Sequence, residues 1–373
     1  MRLVIVLMLL CLAGCAKDLT PDQVDCAQDR STRKECDTEP MSDAHELTKP
    51  KITYLGVGGW LLNWHDEGLL LAPSFSNPSV PPIFVRANEQ RIADYLPDVK
   101  NVKVLLIGHA HYDHLLDVPI IMQRYAPDAI AYGNRTAGHI LAVPKLHLKH
   151  RFVNVEQKMY RVHCTTPRCY QANPDQWTTV GHVRFMAIQS QHAPHFAGMD
   201  FLKGSYYEDL KTLPVYVRNW KEGTTLAFLI DLLDDAGRPV YRIHYQDSAS
   251  NPPFGFPPLI ADGKAVDVMI MCAASTTEVS QYPDALLRYL HPRKLLIGHW
   301  EDFFGNDLSK PPQLLRAQKE LQMLTRISTR FNNIPMVMPF PLSEVELPET
   351  ESPEHRIAEK ETRSVSLVEH HRR

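Results

Sequence analysis

Residues 102–116 read VKVLLIGHAHYDHLL, an apolar run that leads directly into a cluster of histidine and aspartate residues. The continuous apolar segment 102–107 is typical of a buried strand, and residues 116–125 have the pattern of a helix. The cluster between them therefore lies in a loop at the carboxyl end of a strand, where sites of layered α/β folds are usually found. This stretch predicts an α/β fold with a functional site at that edge of a sheet.

The cluster holds four candidate metal ligands, which are His109, His111, Asp113 and His114. In an extended segment, side chains two residues apart point the same way, so the first three share one side. His114 begins the following helix and turns towards a neighbouring position. Imidazole and carboxylate groups together suit divalent metals, zinc first among them. A chance H-x-H-x-D-H pattern is rare, so a metal site is favoured over a solvated polar loop.

Three further ligand candidates each follow a predicted strand: His192, Asp247 and His299. Loops at strand ends bring residues that are distant in sequence into one site, so these side chains can complete the metal site. A single histidine more often has a structural role, but the shared position after a strand favours ligation. His195 lies three residues after His192 and is the alternative ligand there.

The composition is that of a globular protein without a nucleic-acid partner. The 373 residues carry a net charge of −3, and no basic block stands out in the body of the chain. Nucleic-acid-binding proteins normally present a basic face. The apolar content is sufficient for a large core, and we expect one domain over residues 50–346. The sequence indicates no oligomeric state.

The N-terminus has the pattern of an export signal. Arg2 precedes the apolar run VIVLMLLCL at residues 4–12, which is too short to span a bilayer. Residues 12–15 read LAGC, which resembles the lipobox of bacterial lipoproteins and implies lipidation of Cys15. No aspartate follows that cysteine, so the implied location is the outer membrane, facing the periplasm. An ordinary secretory signal is the alternative.

The chain outside the predicted domain divides into three segments. Residues 1–15 are the predicted lipoprotein signal peptide. Residues 16–49 are polar with little periodicity and predict a tether that carries the domain off the membrane. Residues 347–373 are charged and rich in proline and glutamate, and this tail is predicted to be disordered.

The cysteines agree with export. Cys26 and Cys36 are near in sequence, as are Cys164 and Cys169, and each pair can close a short disulfide loop in an oxidising periplasm. A zinc site made by these four residues is the less favoured alternative, since no Cys-x-x-Cys spacing is present. Cys272 lies in the apolar run VMIMC and is predicted to be a buried free thiol.

Several stretches between roughly residues 51 and 304 resemble one known superfamily. They are KITYLGVGGWLLNW, LLIGHAHYDHLLD, MAIQSQHAPH, TTLAFLIDLLDDAGRPVYRIHYQDSAS, AVDVMIMCAAS and LLIGHWEDF. The superfamily is that of the metallo-β-lactamases, and the branch most similar holds N-acylphosphatidylethanolamine phospholipase D-like and ascorbate-6-phosphate lactonase-like enzymes. The resemblance implies a four-layer αββα sandwich with the site along one edge of its sheets.

The resemblance also assigns roles to the candidate residues. In the family, each of two metal ions has its own set of ligands, and one carboxylate bridges the two ions. The resemblance assigns His109, His111 and His192 to the first set and Asp113, His114 and His299 to the second. Asp247 would be the bridging carboxylate. The match at residues 190–192 favours His192 over His195. The implied cofactor is a pair of Zn²⁺ ions, with Mn²⁺ or Fe²⁺ as alternatives.

The implied function is that of a dinuclear metallohydrolase. Two metal ions about 3.5–4 Å apart lower the pKa of a shared water to around 7. The resulting metal-bound hydroxide would attack an ester, lactone, amide or phosphodiester in a small-molecule or lipid-like substrate. Asp113 and Asp247 would position the hydroxide and pass its proton, and His195 would contact the substrate or act as an acid.

Two other functions stay open. An iron-dependent oxidoreductase could use the same scaffold, although the complete ligand set without an acidic residue at His111 suits zinc better. A non-catalytic metal-binding surface lipoprotein is the second alternative, and the altered sequence around Ala72 keeps it open. Residues 71–73 read LAP where the branch usually has Thr-Asp-Pro, so Ala72 replaces an aspartate that orients the site. Val57-Gly58-Gly59 likewise replaces the usual turn after the first strand.

A long connection from residue 193 to residue 220 follows His192 and is rich in aromatic residues. Long loops beside a site often form lids or substrate walls, and we expect this one to do so, with a plain surface loop as the alternative. Trp60 and Trp300 could line the same cleft, but large aromatic residues more often belong to the core.

Overall fold

The computed structural model describes residues 39–40, 50–78, 82–162, 171–194, 202–305, 307–315 and 320–350. Predictions that concern the remaining residues are not addressed by it. The candidate site and modification residues that lie outside the described residues are Cys15, Cys26, Cys36, Cys164, Cys169 and His195.

The first sheet has eight strands in the order β1-β15-β2-β3-β4-β5-β6-β7. Its strands are β1 (Glu39–Pro40), β2 (Lys51–Gly56), β3 (Gly59–Trp64), β4 (Glu67–Leu71), β5 (Val102–Leu106), β6 (Ile130–Gly133), β7 (Phe152–Asn154) and β15 (Ser343–Glu346). β4 to β7 run parallel, and the strands before β4 in the sheet order are antiparallel to their neighbours. β1 lies within the predicted tether and pairs with β15, so these two residues extend the sheet.

The second sheet has seven strands in the order β14-β13-β12-β11-β10-β9-β8. Its strands are β8 (Trp177–Val180), β9 (Val183–Gln189), β10 (Leu226–Leu233), β11 (Pro239–Gln246), β12 (Val268–Cys272), β13 (Lys294–Gly298) and β14 (Met336–Val337). β8 to β11 are antiparallel, and β11 to β14 are parallel. The carboxyl ends of β9, β11 and β13 therefore meet at one edge of this sheet.

Six α-helices are described between the strands. They are α1 (Glu89–Tyr95), α2 (Tyr112–Leu115), α3 (Val118–Arg124), α4 (Arg135–Leu141), α5 (Asp284–Leu290) and α6 (Glu320–Arg330). The predicted helix over residues 116–125 corresponds to α3, which begins at Val118 with Pro119 in its first turn. The amphipathic pattern of residues 313–326 predicts a helix, but Leu314 is extended and forms a bridge with Glu301, so the first residues of this range are not helical.

Alternating side chains of the first sheet enter two different cores. Leu69 and Leu71 pack against the second sheet, whereas Leu70 between them packs against α1, α3 and α4. This is the period of two expected of a strand that is buried on both faces. α5 and α6 contribute to the core of the second sheet. The layers are therefore helix, sheet, sheet and helix, and the predicted α/β fold with an αββα sandwich is confirmed.

Two predictions about buried residues are also confirmed. Cys272 is a buried free thiol at the end of β12. Trp60 and Trp300 are 1% and 0% exposed, and both belong to the core between the sheets. Among the described residues, no helix has the length and apolar character needed to cross a membrane.

Candidate metal centre

The loop after β5 is held to neighbouring strands by main-chain hydrogen bonds. The Ile107 amide donates to the Tyr132 carbonyl (2.9 Å), and the Leu226 amide donates to the Gly108 carbonyl (2.8 Å). The Ala110 amide donates to the Glu222 carbonyl (2.9 Å). Since Leu226 begins β10, these bonds join the loop to both sheets. They fix the directions in which His109 and His111 leave the backbone.

Two glycines allow the ligand-bearing loops to approach one another. A Cβ atom at Gly108 would lie 2.3 Å from the Cβ atom of Asp247, and one at Gly58 would lie 2.6 Å from Nδ1 of His114. Real Cβ atoms do not come this close to other heavy atoms. Glycine is required at both positions because the backbone itself forms the wall against which Asp247 and His114 pack.

The structure brings all seven predicted ligands of the described residues to one place. They form three overlapping groups, and within each group the candidate ligand atoms lie within 4.8 Å of one another. The first group is His109, His111 and His192, and the third is Asp113, His114 and His299. The second group, His109, His114 and Asp247, shares a histidine with each of the others. The first and third groups match the two ligand sets implied by the family resemblance. His195 lies outside the described residues, so its alternative role is not addressed.

Asp247 lies between the two outer groups. Its Oδ2 atom is 2.7 Å from Nδ1 of His109, and its Oδ1 atom is 3.0 Å from Nδ1 of His114. On the other side, Oδ2 of Asp113 is 3.3 Å from Nε2 of His299. One carboxylate therefore faces a histidine of each set, which is the position required of a bridging group.

His192 is oriented by its own backbone. Its Nδ1 atom lies 2.6 Å from the Ala193 carbonyl oxygen, to which it can only donate. This bond leaves Nε2 as the ring nitrogen with a lone pair for a metal. The Ala193 amide in turn donates to the Ser248 hydroxyl (3.1 Å), which follows Asp247 directly. The His192 loop is thus fixed to the loop that carries the central carboxylate.

The electrostatics of the cluster keep the carboxylates charged. Burial raises the pKa of Asp247, but His114 and His109 lower it more, and the net pKa lies far below its usual value. Burial also raises the pKa of Asp113, and His114 and His299 bring it well below its usual value. Both aspartates are therefore anionic at neutral pH.

The two central histidines respond in opposite directions. Burial, and then the neighbouring His114, lowers the pKa of His109, so this imidazole is neutral and able to bind a metal. Burial lowers the pKa of His114 as well, but Asp247 and Asp113 raise it to about 8. The carboxylates of Asp247 and Asp113 thus attract positive charge to this position. A divalent cation would take the place of that proton.

These residues fit a divalent metal. The buried Nε2 atom of His109 has no hydrogen-bond partner among the described residues, although a buried polar nitrogen normally has one. A lone pair of this kind, with further imidazoles and two anionic carboxylates around it, is the donor set that zinc and neighbouring transition metals prefer.

Glu301 supports the site from behind, and the sequence reasoning missed it. Glu301 is 1% exposed. Its Oε2 atom accepts a hydrogen bond from the Tyr54 hydroxyl (2.5 Å), and its Oε1 atom accepts a hydrogen bond from the Val57 amide (2.5 Å). The same Tyr54 hydroxyl accepts from the His299 amide (2.8 Å). The only sequence signal was its position two residues after His299. Through Tyr54, this network fixes the backbone of His299.

Tyr245 supports the central carboxylate directly. Its hydroxyl lies within hydrogen-bonding distance of Asp247 and, at 2.9 Å, of the Gly58 carbonyl oxygen. The hydroxyl has one proton, so it donates to one of the two at a time. Gly58 therefore serves the site twice, through the space beside His114 and through this carbonyl. The turn at residues 57–59 differs from the family pattern but still contacts the site.

We expect Tyr54→Phe to destabilise the fold by about 1–3 kcal/mol, because Glu301 loses a donor and the His299 amide loses its acceptor in a buried environment. Urea unfolding monitored by circular dichroism would measure this change. Tyr132→Phe is the matched control, since Tyr132 is a buried tyrosine outside the network. Equal stabilities for the two variants would contradict the supporting role of Tyr54.

The described part of the aromatic connection, from Leu202 onward, is attached to the body of the domain. The Val85 amide donates to the Val215 carbonyl (2.9 Å), and the Leu210 amide donates to the His139 carbonyl (3.0 Å). Asn134 donates to the Glu222 and Thr224 carbonyls, each at 2.9 Å. Glu222 also accepts from the ligand loop, as described above. Residues 202–224 therefore form a wall that is attached to the domain and contacts the ligand loop through Glu222.

No protein-family model and no curated protein sequence matches the chain. Solved structures with a similar arrangement include the metallo-hydrolase Igni18 of Ignicoccus hospitalis (12% identity, 81% of this chain and 100% of that one, TM-score 0.46). They also include the metallo-β-lactamase fold protein YhfI of Bacillus subtilis (16% identity, 78% and 97%, TM-score 0.42).

A third similar structure is CmlA, a diiron β-hydroxylase of Streptomyces venezuelae (13% identity, 80% of this chain and 54% of that one, TM-score 0.43). Hydrolases and a hydroxylase thus both occur among the similar structures. At these low identities the similarity concerns the arrangement of the chain.

Proposed function

We propose that this protein is a hydrolase that uses two divalent metal ions, with zinc as the favoured ion. The observation that carries this proposal is the position of the Asp247 carboxylate, which faces His109 of one ligand group and His114 of the other. A site for a single ion does not need two complete ligand groups joined by a carboxylate. A two-metal hydrolytic site does.

The metals, when bound, would supply Lewis acidity at neutral pH for attack on a carbonyl or phosphoryl centre. The first set, His109, His111 and His192, is neutral in character, whereas the second set includes the anionic Asp113. This difference makes the two positions chemically unequal. Asp113 is 14% exposed at its side chain, so it is the carboxylate that can reach a substrate-side proton. Asp247 is fully buried and positions its neighbours.

The bond that is cleaved is proposed as an ester, lactone, amide or phosphodiester. The family resemblance supports this range, and the lactonase-like and phospholipase D-like branch supports a small-molecule or lipid-like substrate. The wall formed by residues 202–224 would contact that substrate. Its outer end carries the exposed aromatic residue Tyr216, whose ring contacts the exposed ring of Phe84 at a centroid distance of 4.9 Å.

A substrate panel tests the proposal. Purified protein would be assayed with chromogenic esters, lactones, phosphodiesters and β-lactams, before and after removal of metal by a chelator and again after addition of Zn²⁺. We expect turnover of at least one class that disappears with the metal and returns with it. Asp113→Ala should be inactive. Asp128→Ala is the control, since Asp128 is an exposed aspartate that pairs with Lys103 on the surface.

The two alternative functions give different results in the same panel. Redox-active iron in anaerobically purified protein, with turnover that requires O₂ and a reductant, would replace the hydrolase with an oxidoreductase. Metal binding without turnover of any substrate class would favour a metal-binding surface lipoprotein.

We also propose that the protein is a lipoprotein of the bacterial cell envelope, anchored at Cys15 to the outer membrane and facing the periplasm. The LAGC sequence at residues 12–15 supports this, because several acyl chains on one cysteine anchor a protein stably. We expect Cys15→Ser to abolish labelling by radioactive palmitate and to move the protein out of the membrane fraction. Cys272→Ser is the control. Palmitate labelling of the Cys15→Ser variant would contradict the assignment.

A further inference from the structure

A second group of metal-binding side chains lies at the other end of the sheets. His65, His182 and Asp235 place one candidate ligand atom each within 4.8 Å of the others. His182 immediately precedes β9, whereas His192 follows it. The seven residues of β9 span about 23 Å at the rise of an extended strand. The group is therefore separate from the candidate metal centre.

The three residues come from three turns in both sheets. His65 lies in the turn between β3 and β4 of the first sheet. His182 lies in the turn between β8 and β9, and Asp235 in the turn between β10 and β11, both of the second sheet. None of these residues belongs to a sequence motif. Only the stacking of the two sheets brings them together.

The distances within the group suit coordination better than hydrogen bonding. Oδ1 of Asp235 is 3.5 Å from Nδ1 of His65 and 3.4 Å from Nε2 of His182. Hydrogen bonds between nitrogen and oxygen are usually 2.7–3.2 Å long. Ligand atoms about 2.0–2.1 Å from a tetrahedral zinc ion are about 3.3–3.4 Å from one another. One carboxylate oxygen thus lies at this spacing from a nitrogen of each imidazole.

The two imidazole rings are already arranged side by side. Their centroids are 4.5 Å apart and their planes differ by 17°. Two imidazoles held this close are positioned to share one metal ion. A shared cation satisfies the nitrogens of both rings and the carboxylate at once.

Glu67 holds the turn that carries His182. Its Oε2 atom accepts a hydrogen bond from the His182 amide (2.6 Å) and lies 3.5 Å from Nδ1 of the same imidazole. Its carboxylate also packs against Gly181, where a Cβ atom would collide with it. The bond to the amide holds the turn that carries His182 against Glu67. Nε2 of His182 faces Asp235.

We propose that His65, His182 and Asp235 bind one divalent transition metal ion, zinc by preference, and that this ion links the two sheets at the end remote from the candidate centre. Two imidazoles and one carboxylate are a common zinc donor set, with water in the fourth position. The proposal does not depend on the hydrolase function. Its expected consequence is stability, because a ligand that binds only the folded chain raises the midpoint of unfolding.

Metal content measured by equilibrium dialysis and mass spectrometry tests this site. We expect the full chain to bind one more Zn²⁺ per molecule than the double variant His65→Gln/His182→Gln. The same difference of one ion is expected in an Asp247→Asn background, where the candidate centre is impaired. His147→Gln/His150→Gln is the matched control, since both histidines are exposed and lie elsewhere.

A thermal scan provides the second measurement. In the Asp247→Asn background, added Zn²⁺ should raise the unfolding midpoint when His65 and His182 are present and should raise it less in the double variant. Circular dichroism without metal establishes that the double variant is folded. Equal zinc content and equal midpoint shifts in the presence and absence of the two histidines would overturn the proposal.

Discussion

We expect Asp247→Asn to lower metal-dependent turnover by more than about 100-fold, since replacing even an outer partner of a metal ligand typically costs 10–100-fold. Asparagine keeps the size of the side chain but removes its negative charge. The buried His109 and His114 would then face a neutral amide at the 2.7 and 3.0 Å positions. The two ligand groups would lose the carboxylate that lies between them.

Metal content distinguishes this effect from a general loss of structure. We expect the Asp247→Asn protein to remain folded and to retain less zinc after dialysis than the wild type. Asp117→Asn is a close control, because Asp117 is also buried and accepts hydrogen bonds from the Phe75 and Ser76 amides, which asparagine can still accept. Wild-type zinc content and turnover in the Asp247→Asn protein would show that Asp247 has no part in the centre.

We expect Gly108→Ala to destabilise the fold by about 3 kcal/mol, at the upper end of the cost of overpacking a core. The added methyl group would lie 2.3 Å from both the Cβ and the Oδ2 atoms of Asp247. The backbone cannot easily move away, because the Gly108 carbonyl is bonded to the Leu226 amide of β10. Asp247 must therefore shift, and activity should fall by more than about 100-fold, as for loss of the carboxylate.

Urea unfolding and the zinc-dependent assay would measure the two effects of Gly108→Ala. Gly237→Ala is the control for a general effect of replacing glycine, because nothing lies within 4 Å of a Cβ atom at that position. Gly237 has a φ of +73°, so its replacement should cost only about 1–2 kcal/mol of backbone strain and leave turnover unchanged. If Gly108→Ala behaved in the same way, the close packing of Asp247 on this loop would be refuted.

Much of the fold could be predicted from the sequence because its strands are short apolar runs between turn residues. The apolar runs 102–107 and 294–297 predict strands, and β5 and β13 occupy nearly these positions. The short outer strands β1, β14 and β15 were not expected. Two to four residues carry too little hydrophobic periodicity to be recognised, and the pairing of β1 with β15 joins residues about 300 positions apart.

The remote His65 group and Glu301 show what local patterns cannot reveal. A histidine in a turn looks the same whether it is a surface residue or a ligand, since its partners come from other turns. Glu301 would be expected on the surface as a charged residue, yet Tyr54 and the Val57 amide bury it behind the centre. The partners of Glu301 lie more than 200 residues away in the sequence, and Asp235 lies more than 100 residues from His65.

The sequence by itself determined the kind of chemistry. The spacing of His109, His111, Asp113 and His114 after an apolar strand is a local property, because neighbouring residues of one loop are held together by the chain itself. The tertiary structure alone decided how the two ligand groups meet at Asp247 and which residues support them. Those contacts depend on the stacking of two sheets and on the close approach allowed at Gly58 and Gly108, and such packing is set by the whole core.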